Sequence, residues 1–102
     1  MDSSQGRDRF IGIEYQLDKL PSKVEGFIKK LDKEIQSLIN EAFYYIMQSP
    51  FRHENPTTIK RLHGKKEGLF RYRLRGIRFI YHVDRKAKRI RILQIDNRGD
   101  IY

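Results

Sequence analysis

Residues 68–83 read GLFRYRLRGIRFIYHV. At period two, Phe70, Tyr72 and Leu74 fall on one side, and Arg71, Arg73 and Arg75 on the other. The alternation restarts after Arg75-Gly76, with Ile77, Phe79, Tyr81 and Val83 on one side and Arg78, Ile80 and His82 on the other. This is the pattern of two half-buried antiparallel strands. A two-residue connection ending in Gly predicts a hairpin, because primed turns need positive φ and Gly supplies it at little cost. With Arg75-Gly76 as the turn, Leu74 pairs with Ile77, Tyr72 with Phe79 and Phe70 with Tyr81, so one face is wholly apolar. The same register sets Arg73 directly opposite Arg78, with Arg71 one pair further along. Like charges directly opposite each other destabilise a sheet, so the cluster points to an anionic partner.

The rest of the chain supplies what such a hairpin packs against. Residues 1–9 carry no apolar period and are expected to form a loose, disordered polar extension; residues 10–102 form one domain. Ile11, Ile13, Tyr15 and Leu17 alternate within Phe10 to Lys19, predicting a first strand that Pro21 ends. Ser22 and Glu25 stand at capping-box spacing, and Val24, Phe27, Ile28 and Leu31 follow at helical intervals. Asp32 can start a second helix, in which Ile35, Leu38, Ile39, Ala42, Phe43 and Ile46 form one stripe. A single helix through both would run about 40 Å at 1.5 Å per residue, longer than so small a domain covers, so two antiparallel helices are expected. Their stripes read as core. Ser49-Pro50 ends the helical region and FRHENPTT (51–58) is a loop. Ile59 to Leu62 is a short apolar-basic element. Beyond Val83, Asp84 to Arg89 is a second turn. RIRILQI (89–95) is a further strand, with Ile90 and Ile92 continuing the face of Phe79 and Tyr81. The expected fold is α+β, in the order strand, antiparallel helical hairpin, three-strand antiparallel meander, with both helices on one face of the sheet.

Composition narrows the function classes. The 102 residues contain no cysteine, which excludes disulfides, cysteine-ligated zinc and thiol nucleophiles and fits a reducing compartment. No apolar run approaches a membrane span, and the N-terminus is polar with acidic residues, unlike a signal peptide; a cytoplasmic protein without membrane contact is expected. Net charge is +9. Residues 1–50 hold seven Lys/Arg against eight Asp/Glu, whereas residues 51–102 hold fifteen against five. The whole excess lies in the half that carries the hairpin, which reads as a footprint for phosphates. His53 and His63 lie in loops with no partner at ligand spacing, so neither a metal site nor a cofactor is expected.

Residues 59–102 resemble the C-terminal half of RelE/ParE-superfamily toxins. The resemblance rests on Arg61-Leu62-His63-Gly64, on the strand motif from Gly68 to Arg73, on Gly76 to Tyr81, and on the ending from Ile92 to Tyr102. LPSKVEGFIKKLDKEIQSLINEAFYYIMQSP (20–50) is similar to the family's helical hairpin. The resemblance implies a toxin of a type II toxin–antitoxin system, of the RelE branch: a ribosome-dependent, metal-independent endoribonuclease that cuts mRNA. It implies as partners a cognate antitoxin with an acidic or amphipathic segment, the ribosome and mRNA, and operator DNA only through the antitoxin. A ParE-like inhibitor of DNA gyrase, or an inactive antitoxin-binding homologue, is the alternative.

Metal-free RNA cleavage needs a base for the 2′-hydroxyl, cations for the phosphorane charge, and an acid for the leaving 5′-oxygen. Arg71, Arg73 and Arg78 share a face and can clamp a phosphate bidentately. By resemblance, Arg98 is a candidate for leaving-group stabilisation and Tyr102 for positioning the 2′-hydroxyl or stacking on a base. Lys60, Arg61, Lys65, Lys66, His82 and Arg91 are the expected RNA contacts. His82 could also serve as acid or base, against a plain reading as a surface strand histidine; Arg85, Lys86, Lys88 and Arg89 are open between RNA contact and a solvated turn. The chain departs from the family at Asp96-Asn97-Arg98, where relatives have Gly-His-Arg. Arginine stays protonated at ordinary pH, so the cluster holds a phosphate but includes no evident base, and Asp96 brings a negative charge beside it.

Overall fold

The computed structural model describes residues 14–64 and 67–97. Its elements are β1 (Gln16–Leu17), α1 (Ser22–Lys29), α2 (Lys33–Gln48), β2 (Ile59–Arg61), β3 (Leu69–Leu74), β4 (Ile77–Asp84) and β5 (Arg89–Asn97). The strands make one mixed sheet in the order β1-β5-β4-β3-β2. Among the described strands, only β1 runs parallel to its neighbour, pairing Gln16 with Arg89 and Leu17 with Ile90. The α+β class and the antiparallel β3-β4-β5 meander agree with expectation. Two details add to it. The short element at Ile59 is a true edge strand, so the sheet has five strands, and the described part of the first strand is two residues long. Ile11 and Ile13 lie outside the described residues.

The hairpin register is the one the alternation requires. Leu74 pairs with Ile77, Arg73 with Arg78, Tyr72 with Phe79 and Phe70 with Tyr81. Paired aromatics stack across the ladder: Tyr72 on Phe79 with centroids 4.9 Å apart, and Phe70 on Tyr81 at 5.7 Å. The turn differs in one respect. Arg75, at φ 53°, takes the left-handed position and Gly76 does not. The strand twist demands positive φ at a given step of the turn, whichever residue stands there.

The helices break at Lys30–Asp32, as the length argument required. Neither starts with a side-chain cap. Ser22 is already helical, so it cannot act as the N-cap of a capping box; Pro21 holds that position and its carbonyl accepts from Glu25 N at 3.0 Å. Asp32 is the N-cap of α2 but makes no side-chain cap bond. Gln36 instead donates its side-chain amide to the Leu31 carbonyl at 2.8 Å, satisfying an acceptor near the end of α1.

Val24 from α1 and Ile39, Ala42, Phe43 and Ile46 from α2 meet Phe70, Tyr72, Phe79, Tyr81, Ile90, Ile92 and Ile95 in one core. Phe43 sets its edge against Phe79 at 5.1 Å. Tyr81 is fully buried and its hydroxyl donates to the Pro50 carbonyl at 2.6 Å, tying the end of the helical region to the central strand. Burial, with a smaller contribution from Tyr72, pushes the Tyr81 pKa far above the usual tyrosine range. Tyr72 is raised too, by burial first and by Tyr45 and Glu41 second.

Strand β5 does not alternate throughout. Ile80 pairs with Gln94 but Tyr81 with Ile92, leaving Leu93 as the extra residue of a bulge. The bulge shifts the alternation by one step. Ile95 thereby joins Ile90 and Ile92 in the core, and Leu93 is left 39% exposed. Gln94 and Asp96 turn to the opposite face.

Candidate active site

Directly paired residues share a face of an antiparallel sheet, so the ladders define the face away from the helices row by row. One row runs Arg73, Arg78, Asp96; the next Lys60, Arg71, Ile80, Gln94; the next Leu69, His82, Arg91. Three of the proposed catalytic arginines, Arg71, Arg73 and Arg78, therefore lie together on β3 and β4, as the alternation predicts. Lys60 extends the row of Arg71 to the sheet edge. Arg98 and Tyr102, and the RNA-contact candidates Lys65 and Lys66, lie outside the described residues.

Each arginine is held differently. Arg71 donates from a terminal guanidinium nitrogen to the Thr57 carbonyl at 2.8 Å. That carbonyl is placed by Asn55, whose side-chain oxygen accepts from both the Thr57 amide (3.0 Å) and hydroxyl (2.9 Å). The loop before β2, otherwise a plain turn-rich segment, thus orients one member of the cluster. Arg73 fixes its backbone to the same loop, through its amide and the Thr58 carbonyl at 2.9 Å. Arg78 is the departure from expectation: the alternation sets it on an exposed face, yet it is only 7% exposed. Strand β4 is the middle of five, so a side chain on it has neighbours on both flanks. Across one flank stands Arg73, across the other Asp96.

Leu62, Arg71, Arg78, Ile80, Gln94 and Asp96 line a cleft of about 150 Å³. Most of its lining surface is apolar, and Arg71, Arg78 and Asp96 are the charged residues among those that line it. The Gln94 side-chain amide donates to Asp96 Oδ2 at 3.0 Å.

The remaining candidates scatter. His82 lies four residues beyond Arg78 on the same strand, about 13 Å away at roughly 3.3 Å per residue, and is not among the residues that line this cleft. His82 and Arg61 instead line a larger cleft of about 650 Å³ at the other end of the sheet, with Arg52, Phe70, Arg85 and Lys86. Arg91 is engaged by Asp18, at 3.6 Å from Nε to Oδ2, and Arg89 donates to the same carboxylate at 2.6 Å. In the second turn, Arg85 lies over the Phe51 ring at 4.2 Å, and Lys88 lies over Tyr15 at 5.0 Å and 3.7 Å from Glu14. These turn cations are committed to the protein itself. His53 packs against Tyr45 and Tyr72 with centroids 4.5 and 5.9 Å away, and its Nδ1 accepts from the Asn55 amide. Among the described residues no cluster of three metal-ligating side chains occurs.

No family profile and no curated protein sequence matches the chain. Solved structures do. A chain of the archaeal RelE–RelB complex from Pyrococcus horikoshii superposes with a TM-score of 0.73 at 29% identity, over 84% of this chain and 97% of that one. This chain has a RelE-like toxin fold. The RelE-like fold also superposes on a chain of the RelBE2 toxin–antitoxin complex from Mycobacterium tuberculosis. There the TM-score is 0.67 at 24% identity, over 84% of this chain and all of that one. The isolated E. coli RelE toxin matches with a TM-score of 0.65 at 20% identity, over 81% and 83% of the two chains. Within this RelE-like fold, the arginine face is the sheet surface that neither helix covers. No helix among the described residues is long and apolar enough to cross a membrane.

Sequence reasoning missed the bulge, and with it the place of Gln94 and Asp96 in the cleft. Its signal was present. Ile90 and Ile92 stand two apart and Ile95 three further on, a spacing that only a bulged strand buries completely.

Proposed function

We propose that this chain is the toxin of a type II toxin–antitoxin pair and arrests translation by metal-independent cleavage of mRNA on the ribosome. The observation that carries this reading is the direct pairing of Arg73 with Arg78 on the uncovered sheet face, with Arg71 in the adjacent row. Two guanidinium groups opposite each other are unfavourable in an isolated sheet and favourable once a phosphate lies between them. Arg71, Arg73 and Arg78 hold the scissile phosphate and neutralise charge that develops on its oxygens. Arg98 and Tyr102 take the leaving-group and 2′-hydroxyl roles that the resemblance implies. Lys60 meets the RNA backbone at the sheet edge.

The partner is a cognate antitoxin. The likeness to chains from the RelE–RelB and RelBE2 complexes supports it, and so does the charge: a half-molecule with ten excess cations attracts an acidic or amphipathic segment.

Inducing the protein in cells and mapping transcript 5′-ends tests the reading. Cuts within translated frames are expected, and the combined Arg73→Ala, Arg78→Ala, Tyr102→Ala variant should produce none. Unaffected translation with the wild type, or equal arrest by the triple variant, overturns it.

A further inference from the structure

The arginine cluster cannot begin the reaction proposed for it, because a guanidinium has no acceptor for the 2′-hydroxyl proton. His82 is about 13 Å from Arg78 along the strand. His53 contacts Tyr72, whose ring lies in the core on the other side of the sheet. Among the described residues that line the cleft, one side chain can accept a proton: Asp96.

We propose that Asp96 is the general base, an inference that rests on the mRNA-cleavage reading above. Three observations place it. The bulge at Leu93 turns Asp96 onto the arginine face, where strict alternation from Ile90 and Ile92 would have pointed it into the core. It stands directly opposite Arg78 on the ladder and is one of the residues that line the cleft with Arg71 and Arg78. Gln94, two residues back on the same face, donates to Oδ2 at 3.0 Å and so sets the orientation of the carboxylate. A structural counter-charge for Arg78 needs only the negative charge. The shared cleft and the oriented carboxylate are what a proton acceptor beside a clamped phosphate requires.

The step balances without any added reagent except solvent. The 2′-hydroxyl proton passes to the Asp96 carboxylate as the 2′-oxygen–phosphorus bond forms. The bond from phosphorus to the 5′-oxygen breaks, and that oxygen takes a proton from water. Asp96 returns its proton to the hydroxide left behind. The products are a 2′,3′-cyclic phosphate and a 5′-hydroxyl.

The test is single-turnover cleavage of mRNA on programmed ribosomes, with ribosome affinity and thermal melting measured on the same preparations. Asp96→Asn keeps the shape and removes the basicity. It should cut about 100-fold more slowly or worse, with affinity unchanged or tighter, since a negative charge beside the phosphate is gone. Asp96→Glu, compared with Asp96→Gln at equal side-chain length, should recover at least about tenfold of the lost rate; this pair decides the matter if the Asn variant melts too low to assay. Cleavage by Asp96→Asn within about threefold of wild type, or equal rates for the Glu and Gln variants, overturns the assignment and leaves the ribonuclease reading standing. A wild type that binds ribosomes and never cuts overturns both.

Discussion

Arg78 and Asp96 face each other as direct partners across the β4–β5 ladder, in the middle of a five-stranded sheet and on the face away from the helices. Arg78 is the buried charged residue of the described core. It has a like charge, Arg73, on its other flank. The row therefore sets a like charge on one flank of the buried Arg78 and an acidic residue on the other.

Replacing Arg78 therefore separates folding from chemistry. Arg78→Met fills similar space without a charge, and apolar replacements of buried ionic groups are often close to neutral for stability. Arg78→Ala leaves a void at a buried position and should cost about 2 kcal/mol or more through lost packing. Thermal melting of the two variants is expected to differ accordingly, while both lose the ability to arrest translation. A toxic Arg78→Met variant would remove Arg78 from the phosphate clamp.

Tyr81 makes stability fall at alkaline pH. Its folded-state pKa is raised far above the usual value near 10, chiefly by burial. The unfolded chain loses this proton as pH passes about 10 while the folded chain keeps it, so stability is full below that pH and drops by about 1.4 kcal/mol per pH unit above it. Tyr72, raised in the same direction, adds to the slope. Tyr81→Phe should flatten the slope, leaving the share of Tyr72. It should also cost about 1–3 kcal/mol at neutral pH by leaving the buried Pro50 carbonyl without its donor. Urea unfolding between pH 7 and 11 measures both effects.

Gly68 and Arg75 make opposite predictions about glycine. Gly68 has φ 82°, and a Cβ there would lie 2.9 Å from the Val83 carbonyl oxygen, part of the backbone. Gly68→Ala should lower the denaturation midpoint, by at least the roughly 1–2 kcal/mol of a left-handed residue. Arg75 has φ 53° at an exposed turn. Arg75→Gly should raise the midpoint, by roughly 0.5–1 kcal/mol once the extra freedom of glycine in the unfolded chain is offset.

Cations that look alike in sequence should differ in RNA binding. Lys60 is exposed in the row of Arg71, whereas Arg91 is engaged by Asp18. Lys60→Ala should weaken binding of a single-stranded RNA oligonucleotide and lower the slope of log affinity against log salt by about 0.7. Arg91→Ala should change that slope less. Fluorescence anisotropy titrations at several salt concentrations distinguish the two.

Local pattern was sufficient for the hairpin. Phe70, Tyr72, Phe79 and Tyr81 alternate with Arg71, Arg73, Arg78 and Ile80. A short turn then leaves one register that buries every ring, because a slip of one residue exposes the whole apolar set. The two helices and their break near Asp32 were legible for a similar reason, stripe length set against domain size. Pro21 was less informative: it ended the extended segment but also took the N-cap position that the Ser22–Glu25 spacing predicted for Ser22.

Tertiary structure alone decided which charges are spent and which remain on the face. The commitment of Arg91 and Arg89 to Asp18 depends on β1 lying parallel beside β5, a pairing between residues more than seventy apart in sequence. The burial of Arg78 depends on β4 being the middle strand, which no window around Arg78 contains. Above all, period two from Ile90 and Ile92 would have sent Asp96 into the core. One extra residue, Leu93, turned it instead toward Arg78, because burying Ile95 gains more than keeping the strand regular.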